Sequence, residues 1–108
     1  LLIKENKIAL ARQYLNRALK FAPNNPYILS TLAKTYLRAG AFYNAEYALQ
    51  LAVVSCQKSG WESARDMHIL AEAYYHLGDK ISALLVASRA KELGARLLAN
   101  YADVKSID

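Results

Sequence analysis

The chain has 108 residues, of which 55% are apolar, so it can form one small domain with a buried core. It contains only two prolines and four glycines, a composition that favours helices joined by short turns over a strand-rich fold. The apolar runs are broken well before the roughly 20 residues that a membrane-spanning helix needs. The single cysteine, Cys56, excludes an internal disulfide and a multi-cysteine metal site.

The formal net charge of +5 is unevenly distributed. Residues 1–25 hold five Lys or Arg against one acid, whereas residues 59–94 hold four against five. Lys4, Lys7, Arg17 and Lys20 lie among apolar residues at helical spacing, so we interpret them as a solvated outer helix face. A nucleic-acid interface is not expected, because no aromatic side chains alternate with these charges.

Apolar and small residues recur with helical spacing almost from end to end. Turn residues divide this pattern and predict helices near 2–21, 26–39, 42–57, 60–77 and 80–93. A further short helix is expected within 95–105, where it would close the end of the domain.

Particular residues mark the expected helix ends. Asn25 is placed to cap the second helix, and Gly40 is placed to close it. The Ser59–Glu62 segment has the spacing of a capping box, which predicts a helix start there. Asp79 is expected to cap the fifth helix, and Gly94 is expected to stop it.

Two of the predicted helix pairs are copies of one unit. Superposing Gly40 on Gly78, a shift of 38 residues, aligns a Leu-Ala-x-x-Tyr motif that ends four residues before each glycine. Alanines at matching positions would let the helices approach closely, while leucine and tyrosine side chains fill the seam. The aligned pairs are Leu29 with Met67, Leu32 with Leu70, Ala33 with Ala71, Tyr36 with Tyr74, Ala45 with Ala83, and Ala52 with Ala90.

With these residues the chain resembles the tetratricopeptide repeat, a helix pair of about 34 residues with Leu, a small residue, Tyr and a turn Gly at fixed positions. The resemblance implies an all-α fold of antiparallel helix hairpins stacked as an α-solenoid with five to six helices. A single domain, 1–108, would hold a partial repeat in 1–25, repeats in 26–58 and 59–94, and a capping helix in 95–108. The sequence departs from the family where Leu29 and Met67 replace the usual Trp.

In this family the first helix of each pair lines a concave groove that commonly receives an extended or helical peptide. The resemblance therefore implies a protein-interaction module of scaffold or chaperone type. The candidate contact residues are those of the first helices that point away from the seam: Tyr27, Ser30, Lys34, Leu37, Arg38, Arg65, His68, Glu72, Tyr75 and His76. An ordinary solvated helix face is the alternative interpretation of all ten.

The chemistry of these residues suits a polypeptide partner. Tyr27 and Tyr75 offer rigid aromatic surface, and Lys34 with Arg38 offers two positive charges for an acidic or C-terminal carboxylate group. The family's carboxylate clamp is not expected, because Ser30 and Lys34 in one copy, and the equivalent pair in the other, occupy its positions.

Metal and catalytic sites find little support in the sequence. His68, Glu72 and His76 follow one another at four-residue spacing and could supply zinc ligands, but a polar groove face explains the same row. No Gly-rich phosphate loop, Gly-x-Ser-x-Gly or His-Glu-x-x-His occurs. We therefore predict neither an enzyme nor a cofactor.

Two other functions stay open. The run Leu70–Lys80, with the alanine-rich helix after it, resembles the tail repeats of bacterial envelope zinc metallopeptidases, which would make the chain a substrate-handling appendage. Alternatively, Leu2, Leu10 and Tyr14 of the first helix lack an obvious cover, which suggests a homodimer formed through that helix. The sequence leaves the compartment open between the cytoplasm and the bacterial periplasm.

Overall fold

The computed structural model describes the backbone of residues 2–99 and the side chains of residues 7–94. Within this part of the chain the structure is all-helical and contains no strand, which confirms the predicted all-α class. The five helices are α1 (Leu2–Phe21), α2 (Pro26–Tyr36), α3 (Ala45–Lys58), α4 (Ala64–His76) and α5 (Lys80–Ala99).

Side-chain oxygens cap the starts of the helices. Asn25 Oδ1 accepts a hydrogen bond from the Ile28 N–H at 3.2 Å, and Asp79 Oδ1 accepts one from the Ser82 N–H at 3.1 Å. Both predicted caps are thereby confirmed. The side-chain and backbone hydrogen bonds from Ser82 also lower the pKa of the Asp79 carboxyl.

The predicted capping box at Ser59–Glu62 is wrong. Ser59 ends α3, with its N–H bonded to the Ser55 carbonyl oxygen at 3.0 Å. Gly60 and Trp61 follow with φ angles of 70° and 60°, and these two left-handed residues reverse the chain before a new helix can begin. The cap of α4 is Ser63 instead, whose Oγ accepts the Asp66 N–H at 3.2 Å.

The predicted stop at Gly94 is also wrong, because α5 continues through it to Ala99. A glycine inside a helix costs only about 1 kcal/mol relative to alanine, which neighbouring helical residues can outweigh. Residues 95–99, expected to belong to a separate capping helix, therefore extend α5. The rest of that predicted helix, in 100–108, lies outside the described residues. At the other predicted stop, α2 ends at Tyr36, before Gly40.

Each helix packs on the next along the chain, and α2 also packs on α4. The α4–α5 pair has the most extensive packing, whereas α1 packs on α2 least extensively of the consecutive pairs in the described structure. Successive helices therefore form hairpins, with α2 and α4 side by side and α3 packed against both.

Equivalent positions of the two hairpins are equally buried. Leu32 and Leu70 are 1% and 2% exposed, and Ala52 and Ala90 are 0% and 7% exposed. The same holds for the other aligned apolar pairs, while both aligned tyrosines pack partly buried against the core. The side chains thus follow the 38-residue repeat, with small alanines where the helices approach most closely.

The corrected start of α4 can be tested with two single substitutions. We expect Ser63→Ala to lower the free energy of unfolding by about 1 kcal/mol, because it leaves the Asp66 N–H without its cap. Glu62→Ala, which alters the exposed acid of the predicted capping box, should leave stability unchanged. Urea denaturation followed by circular dichroism measures both. A larger loss of stability for Glu62→Ala than for Ser63→Ala would instead support the capping box at Ser59–Glu62.

Candidate functional site

An open groove of about 1030 Å³ lies between α1 and α2 and reaches α4. Three of its apolar lining side chains are partly or fully buried, and we call Ile8, Ala11 and Leu37 the apolar floor. Three of its lining residues are exposed cations, and we call Lys7, Lys34 and Arg38 the basic rim. The remaining lining residues are Thr31, Thr35, Ala39, Gly40 and Glu72.

The ten residues predicted from the sequence do not form a single site. Lys34, Leu37, Arg38 and Glu72 line the groove. His68, Tyr75 and His76 line, together with Glu72, a second crevice of about 380 Å³ between α4 and α5.

Two of the ten residues are buried, contrary to expectation. Ser30 is 0% exposed, so it cannot contact a partner, and Leu37 is 6% exposed and offers only its surface in the floor. The side chain of Arg65 reaches across from α4 and donates a hydrogen bond to the Oγ of the buried Ser30.

Arg65 ties α4 to the first turns of α2. Besides Ser30, it donates a hydrogen bond to Thr31 Oγ1 at 2.7 Å, and its guanidinium lies 4.4 Å from the centroid of the Tyr27 ring. A guanidinium over an aromatic face is held by the ring quadrupole as well as by hydrogen bonds. Tyr27 and Arg65, both predicted to contact a partner, thus already contact each other.

The sequence interpretation missed the wall that α1 contributes to the groove. Lys7 and Ala11 are one turn apart on α1, and Thr31 and Thr35 are one turn apart on the facing side of α2. Their helical spacing was visible in the sequence. What the sequence did not reveal is that the groove lies against α1, because the family resemblance places groove residues on the first helix of each pair.

A buried arginine holds α1 against α2. Arg12 is only 6% exposed, and its Nε donates to Thr35 Oγ1 at 3.1 Å. Its Nη2 donates to the carbonyl oxygens of Thr35 and Phe42, both at 3.0 Å. The guanidinium also lies 3.8 Å from the centroid of the Tyr36 ring and 4.6 Å from that of Phe42. We call this set of contacts the Arg12 clasp.

The clasp holds a positive charge without a carboxylate partner among the described residues. Burial lowers the pKa of the Arg12 guanidinium, since a charged group loses hydration there. Two carbonyl oxygens and two ring faces replace that hydration, and these contacts also fix the angle of the α1 wall.

The three side chains of the basic rim are exposed, and no described carboxylate pairs with any of them. The one acid in the lining, Glu72, has its Oε1 3.1 Å from His68 Nε2, one turn away on α4. The groove therefore carries an excess of positive charge over an apolar floor, an arrangement that attracts anionic groups.

The row of His68, Glu72 and His76, considered above as possible zinc ligands, does not converge on one point. His68 faces Glu72, whereas His76 Nδ1 lies 3.2 Å from the hydroxyl of Tyr43 in the α2–α3 turn. Within residues 7–94 no group of three His, Cys, Asp or Glu side chains is placed to hold a metal ion.

Cys56 is fully buried in the core, to which α2, α3, α4 and α5 contribute. Burial, and secondarily the charge of Asp66, raises the pKa of its thiol to about 12. A thiol that stays protonated is a poor nucleophile, so Cys56 acts as a small core residue.

None of the described helices combines the length and apolarity that a bilayer-crossing segment requires. Comparison of the chain with protein-family models, with curated proteins and with solved structures gives no match. The resemblances to the tetratricopeptide repeat and to the metallopeptidase tails therefore stay predictions.

The Arg12 clasp can be tested by Arg12→Met, which replaces the charged side chain with an apolar one of similar length. We expect a loss of about 2–3 kcal/mol in the free energy of unfolding, because charge-assisted hydrogen bonds are lost. Arg17→Met is the control, since Arg17 is exposed and lies 5.9 Å from the Tyr14 ring centroid. Equal losses for the two variants in urea denaturation would show that burial of Arg12 adds nothing.

Proposed function

We propose that the described helices form a tetratricopeptide-like protein-interaction module, of scaffold or chaperone type, that holds a segment of a partner polypeptide. The groove between α1 and α2 is the proposed binding site. The observation that carries this proposal is the pairing of an apolar floor with a basic rim that has no acidic partner in the described structure. A module of this kind needs neither catalytic residues nor a cofactor.

The shape of the groove favours a polypeptide over a small molecule. Small-molecule sites generally enclose most of the ligand surface, whereas this groove is open along its length and is bordered by three helices. Its walls are also fixed before binding. The Arg12 clasp holds α1, and Arg65 holds α4 against α2, so little ordering is required of the module when a partner enters.

Homodimeric assembly through α1 is the second candidate function. It is favoured by Leu10, Tyr14 and Phe21, which are 50%, 60% and 91% exposed and recur on one side of the helix. Light scattering over a range of concentrations distinguishes this candidate from the first, because assembly requires a dimer that forms as concentration rises.

The proposed groove is tested by reversing two of its charges. In a pull-down from an extract of the source cells, Lys34→Glu/Arg38→Glu should lower recovery of the groove's partner about tenfold, since attraction becomes repulsion. Lys58→Glu/Lys91→Glu is the matched control, because both lysines are exposed and neither lines the groove. Circular dichroism should show that both variants stay folded. Equal recovery of every bound protein by the two variants would refute the proposal.

A further inference from the structure

The two hairpins offer an internal comparison that shows which side of α2 is open. In α4, Asp66, Ile69 and Ala73 share one side of the helix and are 3%, 3% and 0% exposed. The 38-residue shift places these residues over Ile28, Thr31 and Thr35 of α2, which are only partly buried. The side of α2 that corresponds to the covered side of α4 is therefore the side that borders the groove.

A helix placed along that side would pack against α1 and α2 in the same way that α2 packs against α3 and α4. In the existing arrangement α2 lies beside α4 while α3 packs against both. Beside α2, the groove has α1 as its second helical wall. Its lining residues on α2, which are Thr31, Lys34 and Thr35, have the i, i+3, i+4 spacing of one helix side, and Arg38 follows just beyond the end of α2.

The groove side of α2 differs in chemistry from the buried side of α4. Where α4 has the buried Ile69 and Ala73, α2 has Thr31 and Thr35, whose hydroxyl oxygens accept hydrogen bonds from Arg65 of α4 and Arg12 of α1. These threonines leave a partly polar wall above the apolar floor. An occupant must therefore combine an apolar stripe with polar flanks.

The charges of the rim define those flanks. Lys7 stands on the α1 side of the groove, while Lys34 and Arg38 stand on the α2 side. A helix lying between them would have cations on both sides, so acidic residues on both of its flanks would match the groove. Leu10 and Tyr14 follow Lys7 on α1 at i+3 and i+7, so helical spacing puts them on the same side of the helix, and both are at least half exposed.

We propose that the occupant of the groove is an acidic amphipathic helix of a partner protein, which lies along α2 with its apolar stripe on the floor. This inference rests on the proposed function and names the class of partner. The bound helix and α2 would then lie side by side against α1, as α2 and α4 lie side by side against α3.

The probe is a fluorescein-labelled peptide of about 14 residues, with Leu and Ala on one helical face and Glu on both flanks. Three control peptides are measured with it. One has the same composition in permuted order, one has Lys in place of Glu, and one has two prolines inside the same pattern. Fluorescence anisotropy measures affinity for the full chain. Shifts of backbone NMR signals locate the contact.

We expect the acidic helical peptide to bind about tenfold more tightly than each control peptide, and its affinity should fall as the salt concentration is raised. Its NMR shifts should concentrate at Ile8, Ala11, Thr31 and Thr35. Lys7→Glu/Lys34→Glu/Arg38→Glu should weaken binding about tenfold, while Lys58→Glu/Lys91→Glu should not change it.

Several results would overturn the inference, and they separate its failure from that of the proposed function. If the proline-containing peptide binds the same residues as tightly, an extended segment is the occupant and only the helix is rejected. If the Lys peptide binds best, the acidic class is rejected. A concentration-dependent dimer that the peptide cannot dissociate would assign the groove to a second copy. No saturable binding of any peptide below about 1 mM would reject both the helix and the groove.

Discussion

The guanidinium of Arg12 lies between α1 and α2, where it donates hydrogen bonds to two backbone carbonyl oxygens and faces the rings of Tyr36 and Phe42. Moving such a charge out of water is costly, and only closely placed acceptors and ring faces offset that cost. The contact fixes one geometry because all of these partners must be met at once. Since α1 packs less extensively than the other helices, the position of this groove wall depends on the clasp.

A second arginine contacts α2 from the other neighbouring helix. Arg65 of α4 donates hydrogen bonds to Ser30 and Thr31 in the middle of α2, whereas Arg12 of α1 donates to Thr35 near its end. The helix is therefore held from both sides, and its remaining surface faces the groove. Arg12 and Arg65 thus have hydrogen-bond partners on α2, whereas Lys34, Arg38 and Lys7 are exposed and line the groove. These two groups of cations differ in their neighbours, although their spacing in the sequence is similar.

Sequence periodicity predicted the five helices, the caps Asn25 and Asp79, and the buried alanines, because each of these depends on local geometry or on a repeated packing position. It failed where the outcome depended on contacts distant in sequence. The solvated face was assigned to Lys4, Lys7, Arg17 and Lys20, and no role was predicted for Arg12, because nothing in the pattern of α1 indicates that Arg12 is buried. Ser30 was expected on the surface for the same reason, since Arg65, which covers it, is 35 residues away.

The claim that Arg12 fixes α1 as a wall of the groove can be measured directly as a distance distribution. Nitroxide labels are placed at the exposed positions Gln13 on α1 and Gln50 on α3, and their separation is measured by pulsed electron paramagnetic resonance. A pair of labels at Gln50 and Lys91 serves as the reference. We predict a single narrow distribution for the first pair, which broadens in the Arg12→Met background while the reference pair does not change. A first-pair distribution that is the same with and without Arg12 would contradict this account.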